Sequence, residues 1–407
     1  MDTKSIRDQF SIFNNNKDLV YLDSSATSLT PDKVVKAMDK YYYEYNSNIG
    51  RSSNEFALIA QKEVDNARKK IANFFSVDEN NIIFGPSTTI SINNIARSLS
   101  NIMKPDKNIV VTDQEHHSNF LPWLKLSQEF DLELRIAKSN ENIIEAKDVA
   151  KLVDENTVVI SIHHMSNVIG NIIDFQEVAK NKQNAFLIID GAQSAPHMKV
   201  DFNNIDAFII SGHKMYGPTG ININYLSDEI QEELEPFNFG GGMVIPSSVN
   251  DNSFLVKKGI DKFEAGTLPI AEIIGLSLSI DFINDVGIEN IEKHVLSLKE
   301  YFLNNYEKIK DLVTIYNKDI KNNLITFNIN SINVHDAVSN SIINDISFST
   351  FNIALREGQL CNNITVNNVL GQKAIIRASF GIYNTTEDVA KLINAIEKIA
   401  SVEDIRS

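Results

Sequence analysis

The chain has 407 residues, of which 43% are hydrophobic and 22% charged, and its formal net charge is −15. This composition is typical of a folded globular protein, and the acidic balance argues against nucleic-acid binding, which needs clustered Lys and Arg. The single cysteine, Cys361, excludes a disulfide framework and any metal site that needs several cysteines of this chain. Apolar runs are too short to span a bilayer and residues 1–17 are polar, so we expect no membrane association, no signal peptide and a cytoplasmic location.

Short apolar runs alternate with amphipathic segments in the first part of the chain. The amphipathic segments predict helices at Ile90–Ser100, Glu145–Val153 and Phe175–Lys182. Buried strands separated by helices predict an α/β fold with a mostly parallel sheet, in which ligands bind beyond the carboxyl ends of the strands. The predicted strands are Ile82–Phe84, Asn108–Val111, Leu132–Ile136, Val158–Ile162, Phe186–Ile189, Ala207–Ile210 and Ile221–Asn224.

After Pro269 the pattern becomes a mixture of long helices and isolated strands. We therefore predict a large domain at residues 20–285 and a small α+β C-terminal domain at residues 286–407, which also includes residues 1–19. The predicted helices are Ala271–Val286, Ile288–Leu312, a helix near Val334–Ile343, and Glu387–Ile399, and the apolar strand-like segments are Leu324–Ile329, Phe351–Leu355 and Ala374–Ala378.

A lysine and an aspartate end two successive predicted strands. Lys214 closes the segment Ser211-Gly212-His213-Lys214, and Asp190 follows the run Phe186–Ile189. A lysine with a lowered pKa forms Schiff bases, and a nearby acid can keep a pyridine nitrogen protonated. Alone, the lysine is more simply a solvated strand end and the aspartate a helix cap. Together they fit a pyridoxal phosphate site.

Hydroxyl groups at a predicted helix start offer a phosphate site. The segment Ser87-Thr88-Thr89 follows a predicted strand and opens the next predicted helix. Hydroxyls and free backbone N–H groups at such a start bind anions, although a plain N-cap is the simpler interpretation of this motif alone. Ser211 and His213, on either side of Gly212, are further candidate donors.

Two adjacent histidines, His116 and His117, follow the strand Asn108–Val111. Neighbouring side chains diverge, and no cluster of carboxylates or cysteines accompanies them, so we predict no metal site. Stacking of His116 on an aromatic cofactor is the better functional interpretation. Asn167, after another strand, is a candidate donor to the phenolic oxygen of such a cofactor.

These motifs resemble those of fold-type I pyridoxal phosphate enzymes of the class V aminotransferase group, and most of all its cysteine desulfurases of the SufS type. The lysine motif with its Tyr-Gly-Pro-Thr-Gly extension is highly specific. The resemblance runs from about residue 20 to 400 and includes Tyr21–Ala26, Ser87–Thr89, Glu115–Asn119, His164–Gly170, Asp190–Gln193, Ser211–Gly220 and Phe263–Thr267.

The resemblance implies pyridoxal 5'-phosphate as cofactor and a role for each matched residue. Lys214 would bind the cofactor covalently, Asp190 would pair with the ring nitrogen, and His116 would stack on the ring. Thr267 would reach the phosphate of the other subunit, which implies a homodimer with shared active sites. The remaining contacts would come from Gln193 and Asn167 at the phenolic oxygen, and from Thr88, Thr89, Ser211 and His213 at the phosphate.

The segment Arg356–Cys361 matches the family's Arg-x-Gly-x-x-Cys, which carries a nucleophilic cysteine. The resemblance implies that Lys214 removes the Cα proton of L-cysteine, that Cys361 attacks its sulfur, and that L-alanine leaves. The persulfide sulfur would then pass to a sulfur-acceptor protein, for iron–sulfur cluster assembly or related sulfur assimilation. The expected catalytic residues are Lys214, Cys361 and His116, and the expected substrate contacts are Arg377, Arg356 and Asn167.

The chain departs from the family pattern on the substrate side. Gln359-Leu360 stands where two histidines usually precede the cysteine, and Asn362-Asn363-Ile364 replaces the usual Ala-x-Pro. Pro86-Ser87 replaces an Arg-Gly pair, Ile90 replaces a glutamate, and Arg51 is retained. These changes concern substrate and sulfur transfer more than the cofactor site.

Two other classes of function remain open. One is another reaction on the same scaffold: selenocysteine or C–S lysis, aminotransfer or epimerisation, with Cys361 as an ordinary buried thiol. The other is a pseudoenzyme that acts as a scaffold for sulfur transfer, against which the retention of Lys214 and Asp190 argues.

Overall fold

The computed structural model describes residues 2–50, 53–330, 332–339 and 347–401, so Arg51 lies outside the described residues. None of the helices in these ranges is long and apolar enough to cross a membrane. The strands are β1 (Val20–Tyr21), β2 (Ile82–Gly85), β3 (Asn108–Thr112), β4 (Glu133–Ala137), β5 (Thr157–His163), β6 (Phe186–Asp190), β7 (Ala207–Ser211), β8 (Asn222–Leu226), β9 (Val313–Ile315), β10 (Leu324–Ile329), β11 (Ile353–Ala354), β12 (Arg356–Gly358) and β13 (Ile375–Ser379). The α-helices are α1 (Thr3–Arg7), α2 (Ser11–Asn15), α3 (Asp32–Glu44), α4 (Glu55–Phe75), α5 (Thr88–Ser98), α6 (His117–Phe130), α7 (Ala146–Ala150), α8 (Phe175–Ala179), α9 (Asp228–Glu233), α10 (Ile270–Val286), α11 (Ile288–Asn304), α12 (Val334–Val338) and α13 (Thr386–Ser401).

The central sheet contains seven strands in the order β2-β8-β7-β6-β5-β3-β4. Its neighbours run parallel except for β8, which is antiparallel to both β7 and β2. Alternate residues face two hydrophobic cores: Leu187 and Ile189 lie in one core with residues of α4 and α10, and Ile188 lies in the other with residues of α5 and α6. The predicted α/β fold with a mostly parallel sheet is therefore confirmed.

All seven predicted strands of this sheet are present, with ends displaced by one or two residues. Several strands continue one residue beyond the apolar run, so that polar residues close them. Asp190 ends β6, Ser211 ends β7, and His163 ends β5 opposite Asp190 in the ladder. Polar side chains therefore emerge together at the carboxyl edge of the sheet. The helix predicted from Ile90 begins earlier, at Thr88, since the Ser87 side chain accepts the hydrogen bond of an exposed backbone N–H group.

A second lobe follows α10 and is built on an antiparallel sheet in the order β12-β13-β10-β9. Its core combines Phe302 of α11, Phe327 of β10, Ile376 of β13 and Leu392 of α13. Helix α10, in contrast, packs in the core of the large sheet. Helices α10 and α11 thus belong to different cores, and they meet near residue 285. The domain limits given above remain a prediction.

The sequence pattern predicted one element of this second lobe wrongly and two others only approximately. The prediction of one helix over Ile288–Leu312 is wrong at its end, because α11 stops at Asn304 and the chain then forms β9. Strand β9 has only 3 residues, too few for a clear apolar pattern, and pairs with β10, the next strand along the chain. Phe351–Leu355 contains the short strand β11, which pairs with β1. The helix predicted near Val334–Ile343 is observed only as α12, and residues 340–346 lie outside the described ranges.

A buried ion pair anchors the segment Phe263–Thr267 to the large lobe. Both Nη atoms of Arg68 on α4 donate to the carboxylate of Glu264, at 3.0 and 2.7 Å. The backbone N–H group of Phe84 on β2 donates to the same carboxylate at 2.8 Å. The two paired side chains are only 8% and 6% exposed. Each charge therefore needs the other to compensate for the loss of water around it.

We expect Glu264→Ala to lower the free energy of unfolding by about 3 kcal/mol, because it leaves the Arg68 guanidinium buried without a counter-charge. Urea denaturation followed by far-UV circular dichroism measures the change. The control is Lys33→Ala, which removes a pair with Asp285 whose side chains are 31% and 74% exposed. That pair should contribute less than about 1 kcal/mol, and equal losses for the two variants would contradict the expectation.

Candidate active site

A cavity of about 250 Å³ lies where the carboxyl ends of β3, β5, β6 and β7 meet the second lobe. Every site residue predicted from the sequence lines it except Thr267, which is exposed in this chain. The sheet and its loops supply one wall, and β12, β13 and the segment between them supply the other. The predicted residues that line the cavity are Thr88, Thr89, His116, Asn167, Asp190, Gln193, Ser211, His213, Lys214, Arg356, Cys361 and Arg377.

Lys214 and Asp190 lie at adjacent strand ends in this cavity. Lys214 ends a 3-10 turn directly after β7, and Asp190 is the last residue of β6. Burial lowers the pKa of Lys214 to about 8, although the Asp190 carboxylate opposes the change. Burial raises the pKa of Asp190, whose Oδ1 accepts a hydrogen bond of 3.0 Å from the Ala192 backbone. Near neutral pH a larger fraction of Lys214 is therefore the reactive neutral amine than for an ordinary lysine. The Asp190 carboxylate, buried away from water, favours a cationic group beside it.

The start of α5 presents hydroxyl groups to the same cavity. Thr88 Oγ1 is buried and has no hydrogen-bond partner among the described residues, so it can donate to a bound anion. Thr89 Oγ1 already bonds Ser118 Oγ at 2.6 Å. His213 lies on the opposite side, where its Nδ1 bonds Thr27 Oγ1 at 3.1 Å and burial lowers its pKa to about 4. This ring is therefore neutral at pH 7.

His116 is held in one orientation by the first turn of α6. Its Nδ1 accepts the backbone N–H hydrogen bond of Ser118 at 3.1 Å, so the proton of the neutral ring is on Nε2. Burial, aided by the positive charge of Lys214, lowers the pKa of His116 to about 3. The ring consequently lines the cavity as a neutral, flat surface.

The two amides predicted at the phenolic oxygen have partners within the chain. Gln193 Nε2 donates to the Ser25 carbonyl at 2.9 Å. Asn167 Nδ2 donates to the Leu360 carbonyl at 2.9 Å, and Asn167 Oδ1 accepts from Asn362 Nδ2 at 3.2 Å. Asn167 is thus bound to the cysteine segment as well as facing the cavity.

Arg377 enters the cavity from β13 and contacts both lobes. Its Nη1 donates to the Asn167 carbonyl at 2.7 Å, and its Nη2 contacts Asp23 Oδ1 at 3.3 Å. Its buried Nε has no hydrogen-bond partner in the part of the chain that the structure describes. Burial lowers the pKa of Arg377, while Asp23 opposes the change. The guanidinium remains a cation with donor capacity for a carboxylate.

Cys361 is exposed at the edge of the cavity, in a short segment after β12. Leu360 and Cys361 both have left-handed backbone conformations, with φ of +52° and +53°. The Cys361 carbonyl accepts from the His117 backbone at 2.8 Å, and His117 Nε2 accepts from the Asn363 backbone at 3.3 Å. The thiol therefore lies on a turn that is hydrogen-bonded to His117, the first residue of α6.

Sequence reasoning missed His163, which lies beside Asp190 and lines the cavity. Its Nδ1 contacts Glu115 Oε1 at 2.9 Å, and Thr112 Oγ1 donates to the same oxygen at 2.6 Å. His163 Nε2 is buried without a partner within the described ranges. Its position directly after a predicted apolar strand was the available signal. Ser25, within the matched motif Tyr21–Ala26 but given no role there, and Gln114, which carried no local signal, also line the cavity.

Comparison with known proteins agrees with this geometry. The family model of aminotransferase class-V matches residues 20–392. The chain belongs to that family. A probable cysteine desulfurase of Halalkalibacterium halodurans is 38% identical to it over 94% of both chains. A probable cysteine desulfurase of Borreliella burgdorferi is 34% identical, over 97% of this chain and 96% of the relative.

Solved structures of cysteine desulfurases superpose closely on this chain. An apo cysteine desulfurase from Thermococcus onnurineus NA1 gives a TM-score of 0.90 at 29% identity and covers 98% of both chains. A cysteine desulfurase from Escherichia coli gives 0.88 at 29% identity and covers 99% of both chains. The fold of this class-V chain therefore follows that of those proteins along nearly the whole length.

The cofactor of this class-V chain is pyridoxal phosphate, and the residues of the cavity fit it. The amine of Lys214 suits the cofactor's aldehyde, the carboxyl group of Asp190 suits its ring nitrogen, and the buried hydroxyl of Thr88 suits its phosphate. Each of these groups is placed by an element of the sheet edge.

We expect the rate of covalent cofactor attachment to Lys214 to follow a titration with a midpoint near the Lys214 pKa of about 8. Only the neutral amine attacks an aldehyde, so the rate should fall about tenfold for each pH unit below that value and level off above it. Visible absorbance after mixing cofactor-free protein with pyridoxal phosphate measures the rate. Lys214→Ala is the control without attachment, and a rate that keeps rising to the ordinary lysine pKa of 10.5 would contradict the expectation.

Proposed function

We propose that the chain is a pyridoxal phosphate-dependent cysteine desulfurase, which converts L-cysteine to L-alanine and transfers the sulfur to Cys361. The observation that carries the proposal is that the only thiol of the chain opens onto the same cavity as Lys214 and Arg377. A desulfurase needs a nucleophilic thiol, a base and a carboxylate site in one place. The names of the most similar relatives support the same activity.

Two arginines orient the substrate. Arg377 Nε is a buried donor, and Arg356, opposite Arg377 on the neighbouring strand β12, also lines the cavity. A guanidinium binds a carboxylate through parallel N–H donors, which fixes orientation as well as position. A substrate carboxylate bound by these arginines would lie on the side of the second lobe, which carries both of them on β12 and β13.

The proton transfer belongs to Lys214. When bound, pyridoxal phosphate withdraws electrons from the substrate Cα and so makes its proton acidic. The Nζ atom of Lys214, with a pKa of about 8, accepts that proton near neutral pH. His116 remains neutral, because its pKa is about 3, and adds no positive charge that would lower the basicity of Lys214 further.

The sulfur transfer belongs to Cys361. Its thiolate attacks the sulfur of the bound cysteine, and a new S–S bond forms as the substrate C–S bond breaks. The electron pair of the broken bond remains with the carbon fragment, which leaves as L-alanine after protonation. Arg356 lines the same cavity as the thiol.

The sulfur then has to leave to another molecule. The chain contains no second cysteine that could receive it. Cys361 is exposed, so an acceptor can approach it from solvent. We propose a sulfur-acceptor protein as this partner. The choice between iron–sulfur cluster assembly and another sulfur pathway, like the cytoplasmic location, stays a prediction.

We further propose that the enzyme is a homodimer in which Thr267 serves the site of the partner subunit. Thr267 lies on an exposed turn that the buried Arg68–Glu264 pair holds in place. Large apolar side chains are exposed elsewhere on the large lobe, an arrangement typical of subunit interfaces. They include Tyr43 (84% exposed), Phe239 (65%), Leu255 (61%), Leu58 (60%) and Phe56 (53%).

Mixed dimers test the shared site. A dimer of one Lys214→Ala subunit and one Thr267→Val subunit has one intact site if Thr267 serves its partner, and none if Thr267 serves its own chain. We expect the mixed dimer to bind about half the wild-type amount of cofactor with wild-type affinity, measured by titration of visible absorbance. The two parent proteins are the controls. An affinity equal to that of the Thr267→Val parent would contradict the shared site.

Replacing Cys361 by serine tests the reaction itself. We expect mass spectrometry after incubation with L-cysteine to find a sulfur adduct on Cys361 of the wild type and none on the variant. Alanine formation should fall at least about 100-fold, because the nucleophile is lost. Cofactor absorbance should persist in Cys361→Ser, which separates a lost nucleophile from a lost site. Undiminished sulfide release from L-cysteine by the variant would refute the persulfide reaction and favour C–S lysis.

A further inference from the structure

Asn362 differs sharply from the cysteine that precedes it. Cys361 is exposed, whereas Asn362 is 0% exposed. A fully buried amide has to make its hydrogen bonds inside the protein, because an unpaired one is costly. Its side chain points away from solvent at the point where the thiol points towards the cavity edge. In this turn the side chain of Cys361 is therefore exposed, and the side chain of Asn362 is anchored in the protein interior.

The Asn362 amide connects three separate segments. Its Nδ2 donates to the Gln114 carbonyl, after β3, at 2.8 Å. The same Nδ2 donates to Asn167 Oδ1, after β5, at 3.2 Å. Its Oδ1 accepts from Thr365 Oγ1 at 2.7 Å and from the Thr365 backbone at 3.3 Å. The large lobe thus binds the cysteine segment through a side chain next to the thiol.

The backbone of this turn needs such an anchor. Leu360 and Cys361 are consecutive non-glycine residues in the left-handed region, which is uncommon and persists where surrounding contacts impose it. Asn167 Nδ2 holds the Leu360 carbonyl, and the His117 backbone holds the Cys361 carbonyl. The side-chain hydrogen bonds of Asn362 fix the third residue of the turn, which is Asn362 itself. Its bond to Asn167 Oδ1 also orients the Asn167 amide. Three successive residues are therefore fixed to the large lobe.

We propose that Asn362 is a positioning residue that fixes the Cys361 thiol relative to Asn167 and the cavity. The inference rests on the proposed role of Cys361 as nucleophile. In-line attack on a substrate sulfur needs the thiol within a narrow range of positions, and a displacement of about 1 Å can lower a rate 100-fold. Asn362 touches neither substrate nor cofactor, and it acts through the turn that carries Cys361.

Asn362→Ala tests the proposal, with Asn368→Ala as a matched control. Asn368 is exposed, lies in the same segment, and has no side-chain hydrogen bond within the described residues. We expect Asn362→Ala to slow single-turnover persulfide formation about 10- to 100-fold at saturating L-cysteine, with little change in KM. Alkylation of Cys361 by iodoacetamide should become at least about threefold faster, because the freed turn exposes more of the thiol. The single cysteine makes the alkylation product unambiguous.

The two readouts move in opposite directions only if the thiol loses its position. Unchanged persulfide formation in Asn362→Ala, or the same changes in Asn368→Ala, would overturn the proposal.

If the wild type forms no persulfide, the proposed function fails, and the alkylation rates still decide the positioning role. If Asn362→Ala does not bind cofactor, Thr365→Val decides: with little change in shape it removes the hydroxyl that lies 2.7 Å from Asn362 Oδ1 and 3.2 Å from the Asp113 carbonyl. Smaller changes in the same directions support the proposal, and unchanged rates in that variant overturn it.

Discussion

A single buried guanidinium joins the two lobes at the cavity. Arg377 extends from β13 of the second lobe, donates to the Asn167 carbonyl of the large lobe and contacts Asp23 near the start of the chain. Removal of such a charge from water is tolerated only with polar partners, and here two segments, at Asn167 and Asp23, supply them. Arg377 shares the task of joining the lobes with other inter-lobe hydrogen bonds, among them those of Asn317 and Asn322 to the Ile169 carbonyl. Arg377 therefore lines the cavity at a point where both lobes contact the same cation.

The carboxyl edge of the central sheet brings polar residues together and so forms the site. Parallel strands end at the same side, so the polar residues that terminate β5, β6 and β7 meet without any special loop. Burial then changes their chemistry: the pKa of Lys214 falls to about 8 and that of Asp190 rises. An amine and an acid with shifted pKa values next to a buried hydroxyl form a site for an aromatic aldehyde that carries a phosphate.

The predictable part of this structure consists of features that are local in the sequence. Apolar runs bounded by polar residues located the central strands, and family motifs located Lys214 and Asp190. Strand β9 was missed because its 3 residues are too few for a clear apolar pattern. His163 was missed because it becomes part of the cavity only when β5 pairs with β6. The anchoring of Asn362 was also invisible, since its partners lie about 195 to 248 residues away in the sequence.

The exposure of a lone thiol has a consequence for how such an enzyme would be regulated. A chain with one cysteine can store one sulfur atom, and the loaded thiol is no longer free for the next attack. Turnover would then pause until the cargo is collected, so the consumer of sulfur would set the pace of the supplier. Reactive sulfur would be released on demand without a separate inhibitory site.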